Sequence, residues 1–138
     1  MPLTFGSVQT LKAGSPVGTN MSGGSIPGAE ATVTFGSSSS LWGSSWTYSE
    51  INASNFGLSI GIFALVGTSD HLRATNFGFS IPSNETISGI QFDVVIKSTG
   101  SGTASAVTSV NYVSCTITTA IGATYTSVGQ FFPFIYSS

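Results

Sequence analysis

Apolar and polar residues alternate along most of this chain with a period of two. No window of eleven residues keeps the three-and-four apolar spacing of a helix without a glycine or a β-branched interruption. Residues 86–97 show the alternation best, with Ile87, Ile90, Phe92, Val94 and Ile96 on one side and Gln91, Asp93, Val95 and Lys97 on the other. The phase changes at Ser88-Gly89, which predicts a bulge. Residues 107–119 set Val113, Cys115 and Ile117 against Tyr112, Ser114, Thr116 and Thr118, and residues 8–12, 29–35 and 56–66 read as further strands. Residues 14–20, 36–40, 67–70, 82–84 and 98–105 carry the punctuation of loops and turns. One short helical turn is expected, where Thr47 and Glu50 form a capping box. About eight strands with turns between them predict an all-β fold, an antiparallel β-sandwich of jelly-roll type.

A short phrase occurs twice, as Asn55-Phe56-Gly57-Leu58-Ser59-Ile60 and as Asn76-Phe77-Gly78-Phe79-Ser80-Ile81. Each copy passes from an irregular lead-in to an alternating run. Two equivalent strands, related by the internal pseudo-symmetry of a jelly roll, are therefore expected.

The length of 138 residues suits a single domain, 1–138, with a core of its own. Only 6% of residues are charged while 12% are aromatic, so disorder is not expected. Three basic residues, Lys12, Arg73 and Lys97, cannot neutralise a row of phosphates, and neither nucleic acid nor an anionic membrane is an expected partner. Cys115, the one cysteine, is expected to be a small buried apolar residue. Met1 to Gly6 resembles no secretory signal, and no apolar run reaches the length that spans a bilayer.

Catalytic chemistry finds little material. His71 is the only histidine, and Glu30, Glu50, Asp70, Glu85 and Asp93 are scattered. Neither an enzyme nor a metal site nor a cofactor is expected. Two sets of residues invite a binding role. Trp42, Trp46 and Tyr48 could form a platform for sugar rings, although tryptophans sealing the core are the stronger expectation. The tail, residues 129–138, holds Phe131, Phe132, Phe134, Ile135 and Tyr136 around Pro133. Such an apolar end must cover its own sandwich or dock on a neighbour, and the neighbour is the favoured expectation, with Leu3 and Phe5 as a second docking segment.

Three groups of residues resemble β-sandwich segments of virion structural proteins from tailed bacteriophages. They are Leu41-Trp42-Gly43-x-x-Trp46-Thr47 leading to Ile51-Asn52-x-x-Asn55-Phe56-Gly57, then Ala74-Thr75-Asn76-Phe77-Gly78-Phe79-Ser80-Ile81-Pro82 with Ile87-x-Gly89-Ile90, and Lys12-x-Gly14-x-x-x-Gly18-Thr19-Asn20. The first two stand in permuted order. The resemblance implies a capsid decoration or cement subunit, or a tail or fibre component, located in the virion. Its partners would be a major capsid or tail protein and sister subunits in a homo-oligomer. The alternatives are a carbohydrate-binding module for cell-surface glycans and a self-polymerising surface filament.

Overall fold

A computed structural model of the chain describes residues 4–21, 24, 26–63, 68–99, 107–130 and 135–137. Nine strands and one short helix follow in the order β1 (Thr4–Lys12), β2 (Ser15–Val17), β3 (Ala31–Ser37), α1 (Tyr48–Asn52), β4 (Gly57–Phe63), β5 (Thr68–Ala74), β6 (Ile87–Thr99), β7 (Val107–Thr119), β8 (Thr124–Val128) and β9 (Ile135–Ser137). One sheet has the order β2-β1-β4-β5; the other runs β3-β6-β7-β8, with β9 also on β7. Every pairing between these strands is antiparallel. The two sheets pack face to face, the all-β antiparallel sandwich expected from the alternation.

Alternating positions of both sheets fill the space between them. Val8, Leu58 and Ile60 come from one side, and Phe35, Phe92, Val94, Ile96, Val113, Cys115 and Ile117 from the other, all buried. Burying a side chain of this size contributes about 1.5–3 kcal/mol. The register of β6 on β7 shifts between Ile87 and Gly89, at the expected bulge. A Cβ on Gly89 would collide with the Ser38 backbone, so the close passage of the 38–40 turn demands glycine there. The helical turn is capped as its sequence predicts: Thr47 Oγ1 accepts from Glu50 N at 3.3 Å, and Glu50 Oε1 accepts from Thr47 N at 2.9 Å.

Three expectations are corrected. Ser15–Val17, inside a stretch expected to be a loop, forms the edge strand β2 with Pro16 in it. An edge strand needs only one side of its backbone, so Pro16 is tolerated. Thr68–Ala74 is a full strand on β4, not a turn and a lead-in. The second Asn-Phe-Gly copy is not a strand: residues 76–81 join no ladder among the described residues, and Asn76 and Gly78 both take left-handed φ, of 58° and 73°.

Candidate assembly surface

Trp42 and Trp46 both belong to the core, with 1% and 7% of their surface exposed. Trp42 Nε1 donates to Ile90 O at 2.9 Å, and its ring meets Phe92 edge-on at 5.8 Å. Trp46 Nε1 donates to Leu41 O at 3.1 Å, and its ring meets Phe56 at 5.5 Å. Lys12 Nζ lies 4.6 Å from the Trp46 ring centroid and is also within 3.8 Å of Glu50 Oε2. Tyr48, on α1, is the one exposed member of the trio. The three rings therefore form no joint exposed platform, because both indoles are buried in the core.

Phe5 is buried as well, edge-on to Phe35 at 5.1 Å. This corrects its expected role as a docking residue: the start of β1 is already seated between the sheets. Ile135 and Tyr136 lie in β9, whose backbone pairs with Val107–Ser109 of β7 in the same chain. The end of the tail thus extends its own sheet through its backbone, where docking on a neighbour was the favoured expectation. Leu3, Phe131, Phe132 and Phe134 lie outside the described residues.

Titratable groups are few and dispersed. Among the described residues no three of His, Cys, Asp and Glu gather as metal ligands would. Glu85 receives hydrogen bonds from Thr119 Oγ1, at 3.1 Å, and from the Tyr125 hydroxyl. That bond to Glu85 leads the causes that raise the Tyr125 phenol above its ordinary pKa, followed by partial desolvation and the carboxylate's charge. Burial, and after it the charge of Asp93, pushes the Cys115 thiol well up, so it stays protonated and inert at neutral pH.

A surface that the described strands build together is the outer face of the five-stranded sheet. Because side chains alternate, the residues between the core positions of β3, β6, β7 and β8 point outward. The ladder places Thr32 beside Val95 and Val95 beside Tyr112, then Thr34 beside Asp93, Ser114 and Val128, then Gln91 beside Thr116 and Thr126. Tyr112 is 42% exposed and Val128 55%. Among the described residues of this face only Asp93 and Lys97 are charged. Asp93 is already held: Thr34 Oγ1 donates to its Oδ1 at 2.7 Å, and Gln91 Nε2 lies 3.4 Å from both oxygens. The Thr116 and Thr126 hydroxyls bond each other at 3.1 Å. The result is a regular field of hydroxyls, methyls and one phenol, with little charge to desolvate. Its residues were visible in the sequence as the polar half of the alternation, but nothing there marked which sheet would carry them.

Comparison with known proteins returned no matching family model, no matching curated protein and no matching solved structure. The resemblance to phage virion segments finds no counterpart in those comparisons.

Proposed function

We propose that this chain is a non-enzymatic structural subunit of a tailed-bacteriophage virion, a capsid decoration or cement protein before a tail or fibre component. It acts by burying sheet surface against its neighbours. The observation that carries the reading is the outer face of the five-stranded sheet. Docking such a face costs little in ion desolvation, since Asp93 keeps its partners Thr34 and Gln91 within the subunit. Tyr112 and Val128 supply exposed apolar area at its middle and edge. Interface centres are commonly poor in charge, which this face matches among its described residues, and Tyr112 is of a type enriched there. Multiple copies bound to an assembled shell would stabilise it by mass action, because only the assembled state offers the site.

The glycan-binding alternative retains Tyr48 as its one exposed ring from the trio. Peptide mass spectrometry of phage particles purified from a strain carrying the gene tests the proposal. Peptides of this chain in many copies per particle are the expected result; clean particles without them would sink it.

A further inference from the structure

Among the described residues five strands lie at the sides of the two sheets, and four of them are guarded. β9, on β7 alongside β8, is only three residues long. β2 is three residues long and contains Pro16. β5 holds Asp70, His71 and Arg73 in its seven residues, and Arg73 is exposed with its guanidinium donating to Gly14 O at 2.8 Å. β8 runs directly into Gln130, which exchanges two backbone hydrogen bonds with Thr75, at 2.7 and 3.0 Å, and so ties this side of its sheet to the other sheet. Proline, charge, shortness and closure are the ordinary devices that keep an edge from pairing with another chain.

β3 has none of them. It is seven residues of Ala-Thr-Val-Thr-Phe-Gly-Ser, without charge or proline, and it pairs one-to-one with β6 from Ala31 to Ser37 with no register shift. Among the described residues its only strand partner is β6. Ala31, Thr32 and Thr34 are exposed. Gly36, with a left-handed φ of 83°, departs from extended geometry near its end, and Ala31–Phe35 before it form an uncharged edge, a template for one more antiparallel strand.

We infer that β3 is a self-association edge whose occupant is the β3 of a second copy of this chain, paired antiparallel about Thr34. The inference rests on the reading of the chain as an assembly subunit and names the contact by which its copies join. The strand suits a two-fold partner. With the axis at Thr34, the middle of the strand, Thr32 faces Gly36 of the other copy and Val33 faces its Phe35. The carboxylates of Glu30, next to β3, fall at opposite ends of the pair, so no like charges meet. An isologous contact of this kind closes on itself as a dimer. The two five-stranded sheets then continue into one another, and the hydroxyl-rich outer face doubles in width.

Light scattering across a concentration series, with wild type beside Thr32→Lys, tests the edge. Thr32 is exposed and pairs across the ladder with Val95, so the lysine adds a guard without touching the core. Wild type is expected to double its mass as concentration rises, and the variant to stay monomeric with an unchanged melting curve. A second readout uses Thr34→Cys under mild oxidation: a disulfide-linked dimer is expected from the variant and none from wild type, whose Cys115 is fully buried. Should Thr32→Lys fail to fold, the cross-link decides alone. A wild type that stays monomeric, or a folded Thr32→Lys that associates as wild type does, overturns the inference, as does a Thr34→Cys variant that forms no cross-link. Association that survives Thr32→Lys leaves the virion reading standing and removes only this edge; particles lacking the protein while β3 still cross-links do the reverse.

Discussion

Phe56, Leu58 and Ile60 of the first Asn-Phe-Gly copy and Phe77, Phe79 and Ile81 of the second are all buried, yet the backbones beneath them differ. The first copy runs into β4, where Leu58 faces Thr10 on one side and Ala74 on the other. The second has no strand neighbour of that kind. Instead the side chain of Asn52 takes the place of one: its Nδ2 donates to Ile81 O at 3.0 Å and its Oδ1 accepts from Ile81 N at 2.8 Å. Asn76 N donates to Ser54 O at 3.0 Å, so the residues just before the first copy hold the second. The lesson is that an alternating phrase specifies which side chains enter the core and leaves the backbone to be satisfied by whatever lies nearby.

The comparison breaks most visibly at the rings. Phe56 lies between Trp46, Phe92, Phe77 and Phe79, at centroid distances of 5.5, 6.0, 6.0 and 6.3 Å. Phe56→Ala and Phe77→Ala are each expected to lose about 3–5 kcal/mol in urea unfolding, strand or no strand. Because the two rings touch, the double variant should lose less than the sum, by about 1 kcal/mol. Equal costs would show that the copies are equivalent in the core; a cheap Phe77→Ala would show that they are not.

Glycine separates the copies instead. A Cβ on Gly57 would collide with the Ala74 carbonyl across the β4–β5 ladder, whereas one on Gly78 meets nothing within 4 Å and only its φ of 73° is strained. Gly57→Ala is therefore expected to cost about 3 kcal/mol, by forcing two strands apart. Between these in size is Asn52→Ala, at about 2 kcal/mol, since both backbone groups of Ile81 lose their partner. Gly78→Ala should cost about 1 kcal/mol, the strain of a left-handed residue. Parallel denaturation curves rank the three, and a Gly78→Ala loss equal to that of Gly57→Ala would contradict the steric account.

The smallest effect concerns the exit from the second copy, where Glu85 holds the Tyr125 hydroxyl. The Tyr125 phenol has a raised pKa in the folded chain. Its contribution is thus fully present below the unfolded value near 10 and is lost as pH rises through the folded one. Stability measured from pH 8 to pH 11 should fall more steeply for wild type than for Tyr125→Phe. Matching slopes would mean that the Glu85 contact does not bias the phenol.

By itself the sequence determined the fold class, the bulge at Ser88-Gly89, the capped turn at Thr47 and the burial of Cys115, because each depends on periodicity or on residues a few positions apart. Its alternation also put Phe77, Phe79 and Ile81 in one phase, and all three are buried. Only the tertiary structure decided that these three sit on an irregular segment, since the partner that replaces a strand there, Asn52, is 29 residues from Ile81 in the chain. The same holds for the surface. Pro16 and the glycines around it concealed β2, because an edge strand is set by the strand it joins and not by its own propensity. Trp42 and Trp46 favoured the core over a platform in the sequence, and the acceptors they find inside, Ile90 O and Leu41 O, come from the tertiary structure. Whether Thr32 and Thr34 lie on a central or a terminal strand is a question of strand order, which long-range pairing settles, and it is their terminal place that leaves β3 open to another chain.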